Sequence, residues 1–199
     1  MEPEFVSLKP GTLLSPVPAV MVSCVSEGKT PNIITLAWVG TVNSEPPMCS
    51  ISVRKERHSH ALIKESGEFI INLCGQDQLK AMDYCGVKSG RDVDKFTECK
   101  LTQVSVSGFQ APAIGECPIY LACKVTQVLE LGSHDMFIGK IEAMGVSKQL
   151  MDEKGKIDFD KAKLVAYNHG QYYSLGSPQG FFGFSVASKD VLKRRMKKK

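Results

Sequence analysis

Apolar residues recur along this chain at the short, regular spacing of strands, broken by turn chemistry. Val125, Val128 and Leu129 in Ile119–Leu131, with Ile138, Ile141 and Ala143 in Met136–Val146, predict a long hairpin around Gly132-Ser133-His134-Asp135. Upstream, Ala19–Ser26 reads as a strand, and Glu27-Gly28-Lys29-Thr30 folds it back onto the stretch that starts at Asn32. Met48–Val53 alternates Cys49, Ile51 and Val53 against Ser50 and Ser52, and Phe69–Leu73 is a strand of buried type. Shorter strands are expected at Leu101–Val106 and Leu164–Tyr173. Only two helices stand out, Ser59–Ser66 ending at Gly67 and Asp77–Tyr84 closed by Gly86. Many strands with few short helices predict a mainly β barrel rather than a doubly wound α/β sheet.

Composition narrows the class without changing that picture. The 199 residues, 43% hydrophobic and 23% charged, suit one well-filled core of an ordinary soluble protein. The domain is expected over residues 1–185, with a basic tail over 186–199. Seven cations against one acid in Lys189–Lys199 outweigh the formal net charge of +4, so the body itself is mildly acidic. That tail reads as a solvated, frayed terminus, which makes nucleic acid an unlikely partner. Apolar runs such as Pro16–Val22 are too short for a bilayer, and the acidic start is no signal peptide, so a cytoplasmic protein is expected. The seven cysteines lack any C-x-x-C spacing and read as reduced, mostly packing residues; no metal site is expected. There is no G-x-G-x-x-G after a strand, no P-loop and no H-E-x-x-H, so a bound nucleotide needs some other cradle.

Candidate chemistry concentrates between Asn32 and Ile63. Asn32–Asn43 is too rich in small polar residues for a fully buried strand, so one side of it is expected to face a ligand; it also holds the only tryptophan, Trp38. After Met48–Val53 come the cations Arg54, Lys55 and Arg57, then His58-Ser59 opening a helix. A strand edge with hydroxyls, positive charge and free helix N–H groups is a phosphate cradle, assigned to Ser52, Arg54, Lys55, His58 and Ser59 with Ser59 as the helix cap. From the residues alone, a solvated basic turn with an ordinary cap explains the same pattern.

This arrangement, and the chain as a whole, resembles the flavin reductase-like family, the FMN-binding split barrels, most closely its flavoredoxin-type branch. The resemblance implies a Greek-key split β-barrel with a few short helices and an FMN cofactor. It places Asn32, Thr35, Leu36, Ala37 and Trp38 along the isoalloxazine ring, and the phosphate beside Ser52, Val53 and the turn after them. Lys95, in the charged connector Lys88–Phe96, is implied near the reduced flavin, with Arg91 as its competitor. His134 is implied as the catalytic residue facing the electron donor, and Tyr167 as the closing side of the ring. The family also implies a homodimer with FMN sites at the subunit interface. Two activities follow from it: hydride transfer from NAD(P)H through FMN to an acceptor, or a flavoredoxin-type carrier reduced by a protein such as ferredoxin. A non-enzymatic binding protein is the remaining reading.

Overall fold

A computed structural model of the chain describes residues 4–196. In chain order it forms β1 (Val17–Pro18), β2 (Val20–Cys24), β3 (Asn32–Leu36), β4 (Val39–Ser44) and β5 (Pro47–Arg54). Helix α1 (His58–Ser66), β6 (Glu68–Leu73), α2 (Leu79–Val87) and α3 (Lys95–Glu98) follow. Then come β7 (Gln103–Val104), β8 (Ala113–Ile114), β9 (Ile119–Glu130), β10 (His134–Val146), β11 (Val165–Asn168), β12 (Gln171–Ser174) and α4 (Lys189–Met196).

Seven strands make one antiparallel sheet in the order β3-β2-β6-β9-β10-β5-β4. Its two edges belong to one stretch of chain. β3 pairs with β2 on one side, and after a bend at Ala37-Trp38 the chain continues as β4, which pairs with β5 on the other. That bend closes the sheet on itself, and the Ser52 N–H donates to the Trp38 carbonyl at 3.0 Å, carrying the β4–β5 ladder up to the bend. The fold is the expected split barrel, with the predicted long hairpin as β9 and β10.

Phe69, Phe137, Ile51, Val53 and Ile63 fill the barrel interior. Met21, Ile33, Met82, Cys85 and Phe96 form a second layer where α2 and α3 cover the outside of β2 and β3. β2 is therefore buried on both faces, which is why it does not alternate; its one polar residue, Ser23, donates to the Pro112 carbonyl at 2.6 Å. Glu68 is a buried carboxylate: one oxygen accepts from the Gln110 and Ala111 N–H groups at 2.7 and 2.8 Å, and the other pairs with Lys124.

Several expectations at element ends need correction. α1 begins at His58, so Ser59 lies inside the helix and its hydroxyl accepts from the Asn32 amide at 2.8 Å instead of capping. Its end is as expected, Gly67 at φ 68° with its N–H on the Ile63 carbonyl. Gly86 does not stop α2, which runs on to Val87; a Cβ there would come within 3.2 Å of the Thr35 side chain, so its role is close packing. His134 and Asp135 open β10 rather than forming the turn, because the Asp135 carboxylate is buried and bonded to His60 Nε2 at 2.8 Å. The basic terminus is helical over Lys189–Met196, with the Arg195 guanidinium 4.6 Å from the Phe181 ring centre; the tail residues 197–199 lie outside the described residues.

Burial opposes ionisation of Asp135, but its bonds to His60 and Lys55 hold the carboxyl below the usual carboxylate range. A carboxylate depressed in the folded state adds stability above its unfolded pKa, and that stability is lost as pH falls through the folded value. Thermal midpoints of wild type and Asp135→Asn are therefore expected to converge below about pH 4. A gap that stays constant into acid would contradict the ionic role of this pair.

Candidate functional site

Two neighbouring cavities run along β3 and the C-terminal end of α2. The larger, about 410 Å³, is lined by Thr35, Leu36, Ala37, Trp38, Ser52 and Tyr167, together with Gly86, Asp83 and Tyr172. Its size is in the range of small-molecule and cofactor sites. The β3–β4 bend makes one wall: Trp38 is 46% exposed, so it is a cavity residue and not a core aromatic. Ala37 falls outside both ladders, leaving its peptide groups for a ligand. The Thr35 hydroxyl donates to the Met82 carbonyl, so it offers a ligand only an acceptor. Opposite stand Tyr167 and Tyr172 of the β1-β11-β12 sheet, ring centres 5.5 Å apart. Burial and the nearby Asp83 push the Tyr172 phenol up to about 12, keeping it protonated.

The smaller cavity, about 140 Å³, is lined by Asn32, His58, Ser59 and Lys95 with Arg57, Lys88, Ser89, Gly90 and Arg91. Five cationic or titratable basic side chains converge there. Glu56 is its one acid, exposed and paired with Arg54. Burial, then Arg91, Lys95 and Lys29, push the His58 imidazole below its ordinary value. Lys95 is pushed down by burial and by Arg57. Mutually repelling basic groups in one recess are what an anion relieves. Arg57 is aimed by a bond to the Gly86 carbonyl, and Arg91 by one to the Glu56 carbonyl at 3.1 Å. No side chain caps α1, and with the His60 N–H on the Arg57 carbonyl the His58 and Ser59 N–H groups are left for the same anion. Gly90 fits because any Cβ would strike the Asn32 side chain at 2.2 Å.

The structure thus divides the residues that the sequence grouped. Thr35, Leu36, Ala37, Trp38, Ser52 and Tyr167 share the larger cavity; Asn32, His58, Ser59 and Lys95 share the smaller. Four candidates line neither. Val53 is fully buried among the barrel residues. Arg54 is exposed and pairs with Glu56, and Lys55 pairs with Asp135 and Glu130. His134 packs on Trp38, ring centres 4.5 Å apart, so it buttresses the wall of the larger cavity. Burial and Arg54 lower its pKa. Lys95 spends two of its protons on the Ile33 and Cys85 carbonyls, at 2.6 and 2.8 Å, which ties α3 to β3 and α2. Arg57 and Ser89 line the recess although the cradle expected from the sequence does not include them. The pairing of Arg54 and Lys55 with acids, which frees the more distant cations for the pocket, depends on tertiary contacts.

A cavity walled by aromatic and apolar groups lies beside a cationic recess along the same strand, an arrangement that suits a planar ring carrying an anionic group. The flavin reductase-like domain matches residues 13–176, so the chain belongs to that family, and flavin redox chemistry is what membership assigns to it. Among solved structures it is similar to the flavoredoxin of Desulfovibrio vulgaris (Miyazaki F), 30% identical over 89% of this chain and 97% of that one, with a TM-score of 0.83. It is also similar to the flavoredoxin of Methanosarcina acetivorans, 29% identical over 93% and 100%, with a TM-score of 0.84. An uncharacterized protein of Archaeoglobus fulgidus is 29% identical over 79% of this chain and 88% of its own length. Among the described residues no helix is long and apolar enough to cross a membrane, and no cluster of His, Cys, Asp or Glu could hold a metal.

Proposed function

We propose that this protein is an FMN oxidoreductase that carries electrons from NAD(P)H through FMN to an acceptor. The observation that carries it is the pair of neighbouring cavities along β3: an aromatic slot for the ring and a cationic recess for one phosphate. When bound, FMN supplies the hydride-accepting chemistry, so no acid–base dyad is required. The chain's own residues bind and orient. Arg57, Arg91 and the α1 N-terminus hold the phosphate, and Leu36 and Trp38 give apolar contact. The Ala37 peptide meets the polar ring edge, and Tyr167 excludes water from one side. His134 acts through Trp38, whose position it fixes.

A flavoredoxin-type carrier reduced by a protein such as ferredoxin is the second reading. It is favoured by the likeness to two flavoredoxins over about nine-tenths of the chain. Anaerobic bleaching of the flavin separates the two. Reduction by NADH or NADPH within seconds supports the first; reduction by ferredoxin alone supports the second.

The reading includes a cytoplasmic homodimer. Seven free cysteines, with the Cys24 and Cys85 thiols pushed up to about 12 by burial, suit a reducing compartment. Val128, Leu129 and Leu131 at the outer end of the β9–β10 hairpin, and Phe5, Val6 and Leu8 before β1, leave apolar surface for a second copy to cover. Sedimentation equilibrium is expected to give twice the chain mass. A monomer with full flavin content would contradict this.

A further inference from the structure

The family domain ends at residue 176, and the chain after it contributes no residue to the two cavities along β3. Two exposed chemistries stand side by side in that segment. Phe182, Phe184 and Val186 are exposed, Phe182 completely. Gly183, at φ 83°, turns the chain between the two rings. Gly180 makes room for the Phe184 ring, which a Cβ there would meet at 2.8 Å. Then comes α4, in which Val191 and Leu192 are half-buried while Lys189, Lys193, Arg194 and Arg195 are exposed. None of these four cations enters an ion pair among the described residues; Arg195 lies over the Phe181 ring instead. Lys197, Lys198 and Lys199 follow in sequence and add charge to the same end of the chain. Among the described residues, the hydrogen bonds of residues 176–196 stay within the segment, so no polar contact fastens it to the barrel.

We infer that residues 180–196 form an arm that attaches the protein to an anionic membrane surface. Phe182, Phe184 and Val186 enter the boundary between headgroups and acyl chains, and Lys189, Lys193 and Arg194 meet the lipid phosphates. The attachment is peripheral, since no helix among the described residues is long and apolar enough to cross a membrane. A protein partner needs a packed, shaped surface, and this arm offers protruding side chains on an irregular turn; lipid requires no such match. A single-stranded nucleic acid would stack its bases on rings beside cations. The ring that has a cation beside it, Phe181, has its face taken by Arg195, and Val186 offers nothing to stack on.

The test is co-sedimentation of the full chain with vesicles of phosphatidylcholine alone and of phosphatidylcholine mixed with phosphatidylglycerol. Wild type is expected to bind the anionic vesicles and not the neutral ones. Replacing Lys193 and Arg194 together with glutamine is expected to weaken that binding about twenty-fivefold, about fivefold for each charge near the surface. Phe182→Ser is expected to weaken it about tenfold, at an unchanged thermal midpoint because the side chain is fully exposed. Equal binding to both kinds of vesicle, binding to neither, or a Phe182→Ser variant that binds as wild type does overturns the membrane arm. A dimer that falls to a monomer in Phe182→Ser assigns the rings to a second copy and overturns it too. So does retention of a single-stranded oligonucleotide without any binding to vesicles, which assigns the cations to nucleic acid.

Discussion

Replacing Arg57 and Arg91 together with alanine is expected to weaken FMN at least about a hundredfold. Each substitution removes a charge-assisted contact of roughly 1.5–3 kcal/mol, and 1.4 kcal/mol is a tenfold change in affinity. Riboflavin lacks the phosphate and is expected to change only a few-fold, through the lost tie between Arg57 and the Gly86 carbonyl at the rim of the ring cavity. The control is Arg54→Ala. Arg54 is closer in sequence to the strand that the family resemblance points to, yet it is exposed and pairs with Glu56. Exposed pairs of this kind are worth about 0–1 kcal/mol, so FMN affinity is expected to hold within about threefold. The two results decide between the cations that the sequence puts first and those that the fold brings together. A large loss in Arg54→Ala with little in the double variant would place the phosphate on the other side of the barrel rim.

The largest expected loss of stability is in Glu68→Ala. Glu68 joins two backbone N–H groups of the loop before β8 to Lys124 of β9, and its carboxylate is buried. Removing it strands the buried Ala111 N–H and the part-buried Gln110 N–H and leaves the Lys124 ammonium without its acid. Because Lys124 stays partly hydrated, the cost is that of the lost charge-assisted bonds and the stranded donor, about 2–3 kcal/mol. The measurement is urea unfolding, read as a lower midpoint at unchanged slope. Lys124→Ala is expected to cost less, because that side chain is 37% exposed and Glu68 keeps its two backbone partners. A loss below about 1 kcal/mol in Glu68→Ala would mean that the loop is held by its apolar contacts instead.

Much of this architecture can be read in advance because it is local. Alternation identifies β5 and the β9–β10 hairpin, and Gly67 identifies the end of α1. What cannot be read depends on which distant groups meet. The Ala37-Trp38 bend, which turns one strand into both edges of the sheet, has no proline or glycine to mark it; it follows from barrel closure. Gly86 has the look of a helix stop, yet its reason is the Thr35 side chain about fifty positions earlier. Asp135 sits in what reads as turn chemistry, and its burial depends on His60 and Lys55 from another element. The site followed the same rule. The ring-side residues Thr35–Trp38, at the end of β3 and the bend after it, are consecutive, so they can be read together. The cations of the recess come from the start of α1 and from the connector after α2, and no spacing rule links them.

The flavin content of the purified protein tests whether the chain holds a flavin with a phosphate. The protein is expected to be yellow, to release one FMN per chain on denaturation, and once stripped to bind FMN at least about tenfold more tightly than riboflavin. A colourless chain that takes up neither flavin, or one that binds riboflavin as tightly as FMN, would contradict it.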